Sequence, residues 1–307
     1  MNKKLTTALI AIVLSFTLAA PTASSAEQTT QTPALAILDT ALDTSLPIFQ
    51  GKIAQEVCIL DWKSCPNGTN FQEGVGSSVI PLNIMSSKDF NHGTQMATAA
   101  LKTNPNMKIV FIRIIGNTPA GARQISGVQT VINALDWVIK NKDKYNIQAV
   151  SMSQGHHNLL PGLNYCPNNN QLPAYVSSLK LTGVPFFTAA GNGRDYKRID
   201  WPSCIQDTIS VGATDQIGEI ASYSNNDDIL LDFFANGSMP VYIPGGKEIN
   251  AAGTSVSAQV AAAQWVSAKQ KDSSYTFDSL LKMFNDTAIT TKGRQGTFKK
   301  LINWKNN

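Results

Sequence analysis

Short runs of continuously apolar or β-branched residues alternate along the chain with segments whose apolar positions recur at helical spacing. Residues 35–38, 57–60, 108–115, 149–153, 184–190 and 209–213 form the runs, and each reads as a strand covered on both faces. Between them, residues 92–101 carry small and apolar side chains at helical spacing. Residues 128–139 set Val131, Leu135, Val138 and Ile139 on one side of a helix. Residues 255–268 are rich in Ala and Val and free of Pro and Gly, which predicts a buried helix. A last amphipathic helix is expected over 277–284. The alternation predicts an α/β fold: one domain over residues 34–307, with a mainly parallel sheet flanked by helices on both faces. The stretches around 66–75 and 161–170 are rich in Asn, Gly and Pro and read as surface loops. Phe186 and Phe187 are expected in the core.

Ahead of this pattern lies a segment with a different logic. Lys3 and Lys4 precede an apolar run over residues 8–20, broken only by Ser15 and Thr17, and Ser24-Ser25-Ala26 follow. That order is the order of a secretory signal peptide over residues 1–26, cut before Glu27. The run is shorter than the roughly 20 residues that a membrane-spanning helix needs. Residues 27–33 are expected to form a flexible arm, and the mature chain to be secreted or periplasmic, without membrane attachment. The net charge of the 307 residues is +4, and removal of Lys3 and Lys4 leaves +2. No Lys/Arg run exceeds two residues, so composition gives no nucleic-acid footprint. The four cysteines, Cys58, Cys65, Cys166 and Cys204, fit an exported chain with two disulfides. Of the three possible pairings, a local Cys58–Cys65 ring with Cys166–Cys204 is favoured. A zinc site is disfavoured, because no C-x-x-C occurs and the only histidines are His92, His156 and His157.

In a parallel sheet, ligands bind beyond the carboxyl ends of the strands, so reactive side chains there carry the most weight. Asp39 ends the first run, in Ile37-Leu38-Asp39-Thr40-Ala41. His92 opens a helix, in Asn91-His92-Gly93-Thr94. Asn192 follows a strand, in Ala189-Ala190-Gly191-Asn192-Gly193. Ser255 stands before the Ala-rich helix, in Gly253-Thr254-Ser255-Val256-Ser257. A serine hydroxyl needs an imidazole to take its proton, and the imidazole needs a carboxylate to fix its tautomer. A tetrahedral oxyanion needs donors already aimed at it, here a side-chain amide and a backbone N–H at a helix start. Taken singly, these residues read as a strand-end cap, a capping histidine, a turn and an N-cap. The competing motifs fail. G-x-S-x-G is broken at Ser257, and no G-x-x-x-x-G-K-[ST], G-x-G-x-x-G or H-E-x-x-H occurs.

These blocks together, in the order Asp, His, Ser, resemble the subtilisin-like serine peptidases, the subtilase family. Val150-Ser151-Met152-Ser153-Gln154-Gly155 is similar to the family's strand that pairs with substrate. Trp201-Pro202, leading to residues 209–213, resembles the strand after the oxyanion segment. The resemblance covers about residues 34–268. It implies a peptidase with Asp39, His92 and Ser255 as triad, Asn192 in the oxyanion hole, and polypeptide substrates. It implies a pocket with Ser153, Gln154 and Gly155 on one wall and Ala190 and Gly191 on the other. It brings no cofactor. Ile48 stands where the family's calcium site has an acid, and residues 103–107 offer no carboxylate, so that site is not expected. Three positions depart from the family pattern: Ala41 for Gly, Gln95 for a second His, and Gln259 for Pro inside the nucleophile helix. Only 12 residues separate Ala26 from Asp39, so no pro-domain is expected between them. A peptide-holding module without turnover, or an esterase or transacylase on the same triad, are the alternatives.

Overall fold

The sheet is organised about β1 (Ala34–Asp39), six buried residues that alternate between two hydrophobic layers. Ala36 and Leu38 face one layer, and Leu35 and Ile37 the other. That alternation is the period of a pleated strand with both faces covered. The computed structural model describes residues 31–124, 127–156, 166, 170–292 and 296–301. The signal peptide expected over 1–26, most of the arm, His157 and most of the second loop lie outside the described residues.

After β1 the chain forms β2 (Ile53–Ile59), β3 (Phe71–Glu73), α1 (His92–Thr103), β4 (Lys108–Arg113), α2 (Val128–Asn141) and β5 (Ile147–Met152). It continues through α3 (Leu172–Leu181), β6 (Phe186–Ala189), β7 (Thr208–Thr214) and β8 (Phe233–Asn236). A separate hairpin, β9 (Ser238–Tyr242) and β10 (Glu248–Ala252), leads into α4 (Thr254–Lys271) and α5 (Phe277–Thr287). The described chain closes with β11 (Ile289–Lys292) and β12 (Thr297–Lys300). The 10-stranded sheet has the order β11-β12-β8-β7-β6-β5-β1-β4-β2-β3. Every pairing within it is parallel except those of the edge strands β3 and β11. It is an α/β sheet of mainly parallel strands with helices on both faces.

One layer buries α2 and α3 through Val131, Leu135, Val138, Val176 and Leu179. The other buries α1, α4 and α5 through Met96, Leu101, Val260, Trp265 and Phe284. α4 lies in the middle of its layer and is covered nearly all round, hence its alanines. Trp265 packs edge-on against Phe187 and Phe284. Chain order places the crevice. From β1 the connection runs toward β2 and β4, whereas β5, β6 and β7 build outward on β1's other side. The carboxyl ends of β1 and β5 therefore flank a topological switch point. Both expected disulfides are present, Cys58–Cys65 and Cys166–Cys204. The first holds the loop after β2, beside the wholly buried Arg113. Burial lowers the Arg113 guanidinium to about 10. Arg113 is satisfied by the carbonyls of Ile115 and Ser64 and by Asn117.

Candidate active site

Asp39 ends β1 wholly buried, and its carboxylate is an acceptor for three donors. The Thr40 N–H reaches Oδ1 at 2.7 Å, and the Gln154 amide nitrogen reaches it at 2.9 Å. His92 Nδ1 stands 2.9 Å from both carboxylate oxygens. An ionised carboxylate only accepts, so Nδ1 carries the proton and Nε2 is left as the basic nitrogen. His92 is the first residue of α1, with its side chain 26% exposed. The helix start is lashed to β1 through Thr40, whose hydroxyl donates to the Phe90 carbonyl at 2.8 Å and accepts from Gly93 N–H at 2.9 Å. A Cβ on Gly93 would lie 2.4 Å from the Ala41 carbonyl oxygen, so only glycine lets the two segments approach this closely. Ala41 is buried and is not among the residues at positive φ, so its methyl group introduces no backbone strain.

Ser255 is the second residue of α4 and half-buried. Its carbonyl accepts from the Ser153 hydroxyl at 3.0 Å. Gln259, wholly buried one turn further on, accepts from Ser151 Oγ at 2.7 Å and donates to Ser153 Oγ at 3.1 Å. It ties α4 to the end of β5, so where the family has proline this helix is cross-linked to the sheet. Among the described residues no hydrogen bond joins the Ser255 hydroxyl to His92.

Asn192 is exposed just beyond β6. Its Oδ1 accepts from the Thr254 N–H at 2.9 Å and the Thr254 hydroxyl at 3.1 Å, which leaves the amide NH₂ as the outward donor. The Thr254 hydroxyl in turn accepts from Gly191 N–H at 3.1 Å. Gly191 has φ +104°, and a Cβ there would meet Asp200 Oδ2 at 2.2 Å. Behind this turn Asn225 is wholly buried. It accepts from the Gly193 and Asp195 N–H groups and donates to Gly191 O and Asp200 Oδ1. Sequence reasoning missed Asn225, because Ser224-Asn225-Asn226 is an ordinary polar run until its surroundings are known.

A cavity of about 460 Å³ adjoins this cluster, with Gln154, Gly155, Met152, Val131, Arg123 and Trp201 in its lining. Of the residues expected in a pocket, Gln154 and Gly155 line it. Ser153 is engaged with α4 instead. Ala190 is buried, bonded through its N–H to Val211 and through its carbonyl to Asp200. This cavity is lined on another side by Val128 and Val131 of α2, and Ala190 and Gly191 are not in its lining. Arg123 was not singled out by the sequence either. It donates to Gln154 Oε1 and so fixes the amide with its nitrogen toward Asp39. His156 is exposed, its ring 5.1 Å from that of Trp201. Among the described residues no group of three or more His, Cys, Asp or Glu is gathered as a metal site. Where the family's calcium would sit, Ile48 packs on the core, and Asn104 is bound to Gln270 at 2.8 Å. Those residues do not fit the ion.

Comparison with known proteins follows the same lines. The subtilase family profile matches residues 30–302. A cuticle-degrading serine protease of Arthrobotrys oligospora is 30% identical over 151 residues, 48% of this chain and 32% of the relative. Subtilisin amylosacchariticus of Bacillus subtilis subsp. amylosacchariticus is 24% identical over 185 residues, 56% of this chain and 44% of the relative. The chain thus spans about a third of the first relative's length and under half of the second's. Among solved structures, a cold-adapted subtilisin-like serine proteinase superposes with TM-score 0.62 at 20% identity, covering 89% of both chains. A serine-to-alanine mutant of the protease domain of PatA superposes with TM-score 0.68 at 16% identity, covering 90% of this chain and 95% of that one.

Proposed function

The chain belongs to the subtilase family, and from that premise we propose that it is a secreted serine endopeptidase. The observation that carries the reading is the buried Asp39 carboxylate, 2.9 Å from His92 Nδ1, at the switch point of the sheet. Ser255 attacks the scissile carbonyl, and His92 Nε2 takes its proton and returns it to the leaving amine. Asp39 holds the ring in the Nδ1–H tautomer and stabilises the imidazolium. The Asn192 NH₂ and the Ser255 N–H receive the oxyanion. The Ser255 N–H lies in the first turn of α4, where backbone donors have no partner inside the helix. Among the described residues no hydrogen bond joins the Ser255 hydroxyl to His92, and the reading requires the two to close as the reaction begins, as such contacts commonly do. Polypeptide substrates lie along residues 153–155.

Residues 1–26 act as the signal peptide and residues 34–307 as the peptidase domain. The two disulfides support an oxidising, extracytoplasmic location. No helix among the described residues is long and apolar enough to cross a membrane. Casein turnover tests the reading. It is expected from the wild-type chain and is abolished in Ser255→Ala. Peptide binding without turnover, or equal turnover by both proteins, would overturn it.

A further inference from the structure

The cavity beside Gln154 carries donors that the proposed reaction does not use. Its walls are largely apolar, with Ile114, Val131 and Met152 among them, yet Arg123 and Trp201 also face it. Trp201 is 8% exposed, and its ring N–H is buried without a hydrogen-bond partner. Arg123 Nε is a second buried donor without one. The terminal nitrogens of Arg123 donate to Gln154 Oε1 and, at 3.4 Å, to the Asp89 carbonyl. Among the described residues no carboxylate pairs with this guanidinium.

Buried donors without acceptors are unfavourable, and a half-buried cation against apolar walls is more so. Both donors belong to residues that line one cavity, so a ligand there that brings oxygen acceptors would satisfy them once these side chains turn toward it, and the guanidinium calls for that ligand to be an anion. Resting on the endopeptidase reading, we infer that the cavity is a specificity pocket for an acidic substrate side chain, glutamate above all. The apolar stem packs on Val131 and Met152, and the carboxylate is received by Arg123 and Trp201. Gln154 connects the pocket to the reacting groups, since one end of its amide is held by Arg123 and the other donates to Asp39. The acidic residue therefore lies within a few positions of the scissile bond, on its acyl side.

Internally quenched octapeptides test this, with Glu, Gln, Leu or Lys placed in turn at each of the four positions before the scissile bond. At one position kcat/KM for Glu exceeds that for Leu and Lys by about tenfold or more, the range of a charge-assisted hydrogen bond. In Arg123→Met the Glu-to-Leu ratio falls to near one. Arg123→Lys, which keeps the charge, retains part of it, and Trp201→Phe lowers it. The ratio is internal to each protein, so a general loss of activity cancels. No position favouring Glu in the wild-type chain, or a ratio that survives in Arg123→Met, would refute the pocket. If no peptide is cut, the endopeptidase reading fails separately. The pocket is then judged by calorimetry on Ser255→Ala with the same peptides: tighter binding of Glu over Leu supports it, and equal Kd values overturn it.

Discussion

At the scale of single residues, the site depends on amides whose orientation is fixed by their neighbours. Asn192 has its oxygen occupied twice by Thr254, so its NH₂ is presented before any substrate arrives. Preorganisation of that kind lowers the barrier without reorganisation during the reaction. Asn192→Ala should lower kcat by about 10² to 10³, roughly 3 to 4 kcal/mol, with KM little changed. Steady-state kinetics on one peptide substrate checks this, and an unaltered kcat would remove Asn192 from the oxyanion hole. Gln154 and Gln259 follow the same rule by different means. The guanidinium of Arg123 sets the first, and two serine hydroxyls set the second. Ala41 shows the converse. Its departure from the family's glycine is harmless because its φ is not positive there.

At the scale of elements, α4 is where the chain replaces one device with another. The Gln259 side chain crosses from the helix to β5 and holds Ser153, which in turn holds the carbonyl of Ser255. Gln259→Leu keeps the volume and leaves Ser151 Oγ buried without an acceptor. The expected cost is about 1 to 3 kcal/mol, read as a lower urea midpoint with an unchanged m-value. An unshifted midpoint would mean that the bridge contributes nothing. The buried elements were legible in the sequence. β1, β5, β6 and β7 stand out because strands covered on both faces are apolar throughout. The rest were not, for physical reasons. β3 is partly exposed at the sheet edge, and α3 buries only Leu172, Val176 and Leu179 in a mixed sequence. The run over 108–115 overshoots its strand, which ends at Arg113. Past Arg113 the Ile114 N–H still bonds to the Asp39 carbonyl, and Ile114 and Ile115 are buried along the cavity.

At the scale of the whole molecule, the proposed mechanism requires four distant segments to meet at the carboxyl ends of the central strands: the end of β1, the start of α1, the turn after β6 and the start of α4. The candidate residues and their order were visible in the chain, because each sits at an element boundary that hydrophobic patterning marks. The polar ties that hold them were not. Arg123 to Gln154 and Asn225 to Asp200 join residues far apart in sequence, and such pairs leave no periodic trace. The most direct measurement is peptide mapping by mass spectrometry after treating the folded protein with a fluorophosphonate. The account predicts one adduct, on Ser255, that is lost in His92→Ala and in urea-unfolded protein. A folded protein left unlabelled at Ser255, or labelled equally with and without His92, would contradict it.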